Sequence, residues 1–336
     1  MDRLQLEGGV DVRAERVQVD RASPADLMQL AIRVGPAPMN VGAVLVLGGG
    51  PGFSADEAQR LLGERIRAVP RLRQRLRRAP PGCGRPFWAD DREFDLQDHV
   101  RQLACPPPGD DRALLDAAGM LLGEDLPRSR PLWSATFVTG LADGGTGLII
   151  VMNHVLADGI GGLAVLAELV DRPPGIKAES ASTASFPAPP PCARVLAADA
   201  WRGRARRIAD LPRCARAFRQ GLAEMGGARL PPKLPATSLN RRTGPRRRID
   251  VVVADLAVVR DLGRAHGGTV NDVILAVVGG AVAALLAYRG ERLGVLTVSV
   301  PVSARKAATA GELGNQVGVM PCRSPWAAMW PPGWLR

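Results

Sequence analysis

A continuous apolar run from Leu148 to Met152 is the feature that most constrains how this chain can fold. A strand with one face in water alternates apolar and polar residues, whereas a strand buried on both faces is apolar throughout. The run therefore predicts a strand in the middle of a sheet. Because strand and helix patterns alternate along the chain, the predicted fold class is α/β with mixed sheets.

Local signals place the other elements. Ser23 before Pro24, and Ser54 three residues before Glu57, are typical of helix starts. A helix over 271–288, capped by Thr269 or Asn271, is expected to be buried, because its apolar run is shorter than the ~20 residues of a membrane span. The predicted strands are 41–47, 132–139, 148–152, 248–253 and 293–300, and the predicted helices are 24–32, 54–69, 110–122, 161–170, 192–225, 256–264 and 271–288.

The length of 336 residues suggests two lobes, at about 100 to 200 residues per domain. A proline-rich stretch after residue 172 separates them. We predict an N-terminal lobe over 1–172, a Pro-rich linker with a basic amphipathic helix over 173–239, a partial C-terminal lobe over 240–321 and an atypical tail over 322–336.

The chain is basic, with 44 lysines and arginines against 33 aspartates and glutamates and a net charge of +11. Nearly all of the basic residues are arginine, aromatic residues make up 4%, and no sequence signature of nucleic-acid binding is present. We therefore expect no nucleic-acid partner. The basic helix at 192–225 fits two interpretations, a helix on an anionic lipid surface and a helix packed on the body with a solvated basic face.

The cysteines indicate the cellular compartment and whether a metal site is expected. The five cysteines are odd in number and widely spaced, without a CxxC pair, and only three histidines accompany them. This usage predicts reduced thiols, a cytoplasmic protein and no metal site. The first twenty residues lack the apolar region of a signal peptide. Neither GxxxxGK nor GxSxG occurs, so the sequence indicates neither a P-loop nor a serine nucleophile elbow.

The apolar run leads into Asn153, His154 and, four residues after the histidine, Asp158 and Gly159. A histidine at the end of a buried strand lies at a rim that a substrate can approach, and its ordinary pKa of about 6.5 suits a general base. The aspartate can fix the backbone of the turn, while glycine leaves space beside the imidazole. The spacing alone fits both a catalytic and a structural histidine.

The segment NHVLADG resembles the HHxxxDG motif of the bacterial wax ester synthase/acyl-CoA:diacylglycerol acyltransferase family. This family belongs to the CoA-dependent acyltransferases with the chloramphenicol acetyltransferase-like fold. Further segments resemble the family in the same order, from about residue 20 to residue 321: SPADLMQL, PMNVGAVLVL, PLW, LNRRTGPRRR, TVNDVILAVVGGAV, VPVSAR and LGNQVGVMP. The resemblance implies a two-lobed α/β fold with mixed sheets, whose second lobe is incomplete here.

The resemblance also implies an activity, which is the transfer of a fatty acyl group from acyl-CoA to diacylglycerol or to a long-chain alcohol. His154 is then the general base on the acceptor hydroxyl, Asp158 is structural, and Gly159 shapes the channel. Acyl-CoA is a co-substrate, and no cofactor is implied. The expected location is the cytoplasm, with a peripheral position at the inner face of the plasma membrane or on lipid droplets.

Other residues in the matching segments have two interpretations each. Asn271 and Asp272 match a family segment near the site, but they also suit a simple helix start. The arginines of a basic cluster could meet the CoA phosphates or form a solvated basic turn. These arginines are Arg246, Arg247 and Arg248. We expect Trp133, in the segment PLW, to anchor the core and not to contact substrate.

Two features depart from the family pattern. Asn153 stands where the motif has its first histidine, so the imidazole at that position is missing. After Pro321 the chain becomes rich in Trp, Pro and Arg, which is typical of a frameshifted or truncated gene or of an aromatic tail that contacts a membrane. The alternatives to the acyltransferase are therefore an inactive lipid-surface-binding remnant and a condensation-type enzyme with another acceptor.

Overall fold

The computed structural model describes residues 19–31, 38–48, 54–156, 159–169, 186–224, 237–291, 295–303 and 317–325. Helices and strands alternate through the N-terminal half, as the sequence predicts. In chain order the elements are α1 (Pro24–Ala31), β1 (Asn40–Leu47), α2 (Ala55–Ile66), β2 (Gln74–Arg77), β3 (Phe87–Asp90), β4 (Val100–Ala104), α3 (Asp111–Leu122), β5 (Trp133–Thr139), β6 (Thr146–Asn153), α4 (Gly159–Leu169), α5 (Ala193–Glu224), α6 (Leu256–Ala265), α7 (Val270–Tyr288), β7 (Val295–Ser303) and β8 (Val317–Pro325).

The main sheet has four strands in the order β1-β6-β5-β4, so the apolar run of β6 lies between two neighbours, as predicted. β6 is antiparallel to both β1 and β5, whereas β4 and β5 are parallel. Seven residues of β6 are buried, and only Asn153 at its end is partly open. The α/β class with a mixed sheet is confirmed.

The side chains of β6 alternate between two apolar clusters on opposite faces of the sheet. Leu148, Ile150 and Met152 belong to a cluster with residues of α2 and α4. Ile149 and Val151 belong to a second cluster, which includes residues of α3. Because helices cover both faces, a polar residue within the run would be buried, which explains its unbroken apolar character.

The helix starts predicted at Ser23 and Ser54 are confirmed. The Ser23 hydroxyl accepts the backbone N–H of Asp26 at 3.0 Å, and the Asp26 carboxylate accepts the N–H of Ser23 at 2.8 Å. The Ser54 hydroxyl accepts the N–H of Glu57 at 3.4 Å. The Glu57 carboxylate, however, pairs with Arg60 one turn further along α2.

The strand predicted at 248–253 is absent: this part of the chain has no regular secondary structure. Arg112 of α3 donates to the Ile249 carbonyl oxygen at 2.8 Å and pairs with Asp250 at 2.7 Å. The β-branched residues of this segment favour an extended backbone. That backbone lies against a helix and pairs with no strand among the described residues.

The prediction of a helix at 271–288 is confirmed, but the prediction that it is buried is wrong for the described part of the chain. Only Gly279, Gly280 and Leu286 of α7 are buried, and α6 is its main packing partner. An apolar run predicts burial only where other elements surround the helix. By length and composition alone, α7 could also cross a membrane, a test that the core helices of soluble proteins pass as well.

The remaining elements lie outside the main sheet. α5 confirms the helix predicted at 192–225, and it has a proline inside it, Pro212. β7 confirms the strand predicted at 293–300 and pairs with β8 in antiparallel orientation. β8 runs through residues 322–325, where we expected the atypical tail to begin. Most of the expected Pro-rich linker, residues 170–185, lies outside the described residues.

Candidate active site

The turn that carries His154 is held from both neighbouring strands. On one side, the backbone N–H of Asn153 donates to the carbonyl oxygen of Leu132 at 2.9 Å. On the other side, the N–H of His154 donates to the carbonyl oxygen of Met39 at 2.9 Å. Leu132 lies in the segment PLW and Met39 in the segment PMNVGAVLVL. Two of the segments on which the resemblance rests therefore fix the position of the histidine.

The Asn153 side chain shapes the same turn. Its Oδ1 accepts the N–H of Val155 at 3.1 Å, while its own carbonyl oxygen accepts the N–H of Leu156 at 2.9 Å. The hydrogen bond to Val155 is that of an Asx-turn, in which a side chain replaces a backbone acceptor. Asn153 thus ends β6 and starts the turn through hydrogen bonds alone. This role needs no proton transfer.

A second amide extends this network to α3. Asn40 is the register partner of Asn153 in the antiparallel pair of β1 and β6. Asn153 Nδ2 lies 3.4 Å from Asn40 Oδ1, and Asn40 Nδ2 donates to the carbonyl oxygens of Leu122 and Glu124 at 3.2 and 2.9 Å. Each group donates in the same direction, from the turn of His154 through the two amides to the carbonyl oxygens at the end of α3.

The histidine lies where the buried core meets the surface. His154 is half-buried, and the two residues that follow it, Val155 and Leu156, are almost completely buried. The backbone on both sides of the imidazole is therefore fixed by hydrogen bonds and by the core. A base held in this way can meet a substrate hydroxyl without first ordering its own loop.

Trp133 anchors the core beneath this rim, as predicted. It is buried, and its indole N–H donates to the Leu72 carbonyl oxygen at 2.7 Å. The buried ring of His99 stacks on it with ring centroids 4.6 Å apart, and His99 Nδ1 lies 2.9 Å from the Trp133 carbonyl oxygen. Loss of hydration lowers the pKa of His99, although the hydrogen bond to the Trp133 carbonyl opposes the shift.

A cavity of about 180 Å³ opens beside the turn. Its wall includes Gln29, Met39, Leu132 and Asn153. Complete pockets for drug-sized ligands measure about 300 to 1,000 Å³, so this cavity has room for part of a substrate only. Larger cavities, of about 640 Å³, lie at the base of α5 and beside Phe186, where no predicted catalytic residue lines them.

The other predicted residues of the motif are only partly described. Asp158 lies outside the described residues, so its predicted structural role stays a prediction. Gly159 is the first residue of α4. α4 packs against α2, and Val165 joins the same apolar cluster as Val155 and Leu156. The end of the turn and α4 therefore belong to the same apolar core.

Asn271 and Asp272 are exposed at the start of α7. Thr269 is the N-cap: its hydroxyl accepts the N–H of Asp272 at 3.3 Å, and the Asp272 carboxylate accepts the N–H of Thr269 at 2.7 Å. The hydrogen bond from the Thr269 hydroxyl contributes most to lowering the pKa of Asp272. This capping box supports the helix-start interpretation of the pair.

The basic cluster lies beside α3. Arg246 and Arg248 are exposed, and Arg247 is half-buried. Arg247 donates to the Gly244 carbonyl oxygen at 3.2 Å, and Arg248 pairs with Asp250 at 3.1 Å. The cluster is a basic surface next to the helix whose end holds Asn40. Its role toward CoA phosphates stays a prediction.

The sequence does not mark Asn40 as a site residue, because nothing in PMNVGAVLVL distinguishes this amide from a polar residue at a strand start. The signal is the register of β1 with β6, which only the sheet reveals.

The structure offers no set of metal ligands: within the described ranges, no three His, Cys, Asp or Glu side chains cluster.

Comparison with known proteins places most of the chain in one family. The profile of the wax ester synthase/diacylglycerol acyltransferase catalytic domain matches residues 22–274. A Mycobacterium tuberculosis H37Rv protein named "Probable diacyglycerol O-acyltransferase tgs1" is 32% identical over 294 residues, which cover 83% of this chain and 60% of the relative. The chain thus spans about 60% of the length of the curated relatives that it matches.

Solved structures show the same fold. The wax ester synthase/diacylglycerol acyltransferase from Marinobacter aquaeolei VT8 matches with a TM-score of 0.56 and 23% identity, covering 84% of this chain and 65% of that structure. The first condensation domain of the calcium-dependent antibiotic synthetase matches with a TM-score of 0.54 and 20% identity, covering 92% and 69%. These matches confirm the predicted acyltransferase fold class.

Proposed function

Because the chain belongs to the wax ester synthase/diacylglycerol acyltransferase family, we propose that it transfers a fatty acyl group from acyl-CoA to the hydroxyl of a diacylglycerol. The observation that carries this proposal is the turn of His154. It places a half-buried imidazole at the end of the central strand, with its backbone held by the segments PMNVGAVLVL and PLW. A relative named as a diacylglycerol O-acyltransferase supports the same acceptor.

In the proposed reaction, His154 takes the proton of the acceptor hydroxyl as its oxygen attacks the thioester carbonyl. The C–O bond forms, the tetrahedral intermediate collapses, and the C–S bond breaks. The CoA thiolate then receives the proton, which returns His154 to its neutral form. Acyl-CoA is the co-substrate, and the chemistry needs no covalent acyl-enzyme and no further cofactor.

The surrounding residues support this assignment of roles. Asn153 carries an amide, which does not titrate, so proton transfer falls to His154. Gly159 is the first residue of α4. We assign Arg246, Arg247 and Arg248 to the CoA phosphates, since guanidinium groups bind phosphate through paired hydrogen bonds. A long-chain alcohol, which gives a wax ester, is the second acceptor of the same reaction.

A diacylglycerol is insoluble in water, so we propose that the chain works from the cytoplasm at a lipid surface, the inner face of the plasma membrane or a lipid droplet. The hydroxyl acceptor is favoured over the amine of a condensation-type reaction, because the relatives at about 30% identity are named for diacylglycerol. The condensation domains match at 20% identity or less, which supports a shared fold only.

The test is acyl transfer from labelled palmitoyl-CoA to diacylglycerol by the chain and by His154→Ala. We expect kcat to fall by about 10² to 10⁴, the range for loss of a general base. His266→Gln is the matched control, because His266 is an exposed histidine at the end of α6. Unchanged turnover in His154→Ala would remove His154 from the mechanism. Circular dichroism checks that each variant is folded.

A further inference from the structure

The outer part of α5 carries a surface that neither the fold nor the proposed chemistry uses. From Trp201 to Leu222, the interfacial segment, four large apolar side chains face solvent. These are Trp201 (67% exposed), Ile208 (67%), Leu211 (60%) and Phe218 (68%). At 3.6 residues per turn they fall within a sector of about 100°, the width of the apolar stripe of an amphipathic helix.

The same segment is strongly basic. It contains seven arginines against one aspartate, Asp210, which gives it a net charge of +6. By helical spacing, Arg204, Arg207 and Arg219 fall within or beside the sector of the apolar stripe, whereas Arg202, Arg206 and Arg213 fall on the opposite side of the helix. The guanidinium of Arg204 lies 5.2 Å from the ring centre of Trp201. Three cationic groups therefore accompany the apolar stripe on the same side of the helix.

The base of α5 fixes this segment to the rest of the protein. Leu196 and Ala200 are buried, and Arg21 pairs with Asp199 at 3.0 Å. A cavity of about 640 Å³ opens at the base of the helix. Its charged lining consists of Arg21, Arg85, Asp199, Arg204, Arg206 and Arg207. Guanidinium groups that converge on one cavity suit a phosphate group.

We propose that the interfacial segment docks on an anionic phospholipid bilayer. The apolar stripe enters the boundary between headgroups and acyl chains, and Arg204, Arg207 and Arg219, which lie within or beside the stripe, meet the lipid phosphates. This inference rests on the proposed function only in that an insoluble acceptor brings the chain to a lipid surface.

The charge of the segment selects this occupant over a second copy of the chain. Two such helices would place +6 against +6, whereas an anionic surface neutralises the arginines. Pro212 inside the helix also disfavours a continuous seam between two helices, because it removes a backbone hydrogen bond and bends the axis.

The experiment is co-sedimentation of the full chain with vesicles of phosphatidylcholine alone and with vesicles that contain about one third phosphatidylglycerol. We expect the anionic vesicles to bind the chain at least about tenfold more tightly, and added salt to weaken the binding. Equal binding to both kinds of vesicle would overturn the proposal. No acyl-CoA is present, so the result is independent of turnover.

An apolar triple variant and its control test whether the interfacial segment is the docking surface. Ile208→Ser/Leu211→Ser/Phe218→Ser should lower the affinity for anionic vesicles about tenfold or more, since the buried apolar area sets the strength of interfacial binding. Its matched control is Val251→Ser/Val252→Ser/Val253→Ser, which removes three apolar side chains that are 66%, 93% and 90% exposed. An equal loss in both triple variants, or no loss in either, would overturn the assignment to α5.

A charge variant tests the arginines that accompany the stripe. Arg204→Gln/Arg207→Gln/Arg219→Gln should abolish most of the preference for phosphatidylglycerol, whereas Arg241→Gln/Arg242→Gln/Arg246→Gln removes the same charge elsewhere and should keep it. A preference lost equally in both would overturn the proposal. A dimer by analytical ultracentrifugation that the apolar variant dissociates, without vesicle binding by the unaltered chain, would assign the stripe to a second copy instead. Circular dichroism confirms that each variant is folded.

Discussion

The side chain of Asn153 is an amide at a position where the family motif has a histidine. Both ends of this amide have partners: Oδ1 accepts the N–H of Val155 at 3.1 Å, and Nδ2 lies 3.4 Å from Asn40 Oδ1. Asn40 in turn bonds to two carbonyl oxygens at the end of α3. Because the amide closes the turn, the loss of the first imidazole leaves the backbone of His154 in place.

Asn153→Ala is expected to lower both stability and turnover. It removes two part-buried hydrogen bonds, at a cost of about 1 to 3 kcal/mol in unfolding free energy. The freed turn should misplace His154, so kcat falls while the KM for acyl-CoA stays nearly constant. Gln74→Ala is the control, because it also removes a part-buried side-chain hydrogen bond, to Asp90 on β3. A kcat loss as large in the control would contradict a positioning role.

His99 is expected to make stability depend on pH. Burial lowers its pKa in the folded protein, so the unfolded chain takes up the proton first as the pH falls. Its contribution is therefore complete above the ordinary pKa of about 6.5 and is lost as the pH falls below it, toward the lower folded-state pKa. Urea unfolding between mildly alkaline and mildly acidic pH measures this slope.

His99→Phe keeps the stacking between Phe94 and Trp133 but cannot titrate, so its unfolding free energy should lose most of that slope. Replacing the exposed His266 by Gln should keep the slope. If His99→Phe and the unaltered chain respond to pH alike, another group controls the dependence.

At the level of single residues, sequence alone located His154 and Trp133, because each marks a strand end or a core position in its own segment. It did not locate Asn40 or His99. Asn40 acts through its register partner 113 positions away, and the surroundings of His99 come from Phe94 and from Trp133, 34 positions away. Such contacts follow from how strands pair, which a local pattern does not contain.

Among the elements, α5 is attached at its base by a small apolar cluster around Leu196 and by one arginine. Arg21 is 10% exposed, pairs with Asp199 at 3.0 Å, and donates to the carbonyl oxygens of Arg85 and Leu196 at 2.6 and 2.8 Å. One side chain thus joins the start of the helix to the loop before β3. Its planar fork supplies three donors that a lysine cannot arrange in the same way.

Arg21→Ala is expected to cost about 3 kcal/mol of unfolding free energy, since it leaves Asp199 without this partner. Arg21→Lys should restore only part of the loss. Hydrogen exchange in the first turns of α5 should rise in both variants. Arg60→Ala, which removes an exposed ion-pair set on α2, should cost much less, because solvent screens exposed ion pairs. Equal costs at the two sites would contradict this account of the attachment.

Helix starts could be predicted because their signals are local. Ser23, Ser54 and Thr269 each accept a hydrogen bond from a backbone N–H three residues further along the chain. The exposure of α7 and the absence of a strand at 248–253 could not be predicted, because burial and strand pairing both depend on a partner element. α7 has the apolar run of a core helix but packs mainly on α6, and residues 248–253 pair with no strand in the part of the chain that the structure describes.

At the scale of the whole molecule, the chain after α5 returns to the first half across α3. A Cβ on Gly119 would lie 2.6 Å from the Arg247 carbonyl oxygen, and one on Gly123 would lie 3.3 Å from the Pro245 carbonyl oxygen. Ile249 packs against the apolar cluster of α3. The end of this helix also holds Asn40, so α3 lies between the basic cluster and the turn of His154.

Gly119→Ala tests this contact, because its Cβ meets backbone, which cannot rotate away. Alanine is the better helix residue by up to about 1 kcal/mol, yet the clash should reverse the gain and lower the unfolding free energy by about 1 to 3 kcal/mol. Hydrogen exchange over residues 245–250 should rise as the segment leaves the helix. Gly221→Ala in α5 is the control: its Cβ meets nothing within 4 Å, so this variant should gain stability. If Gly119→Ala gained stability as well, residues 245–250 would not lie against α3 in solution, and the link from the arginines to the His154 turn would be lost.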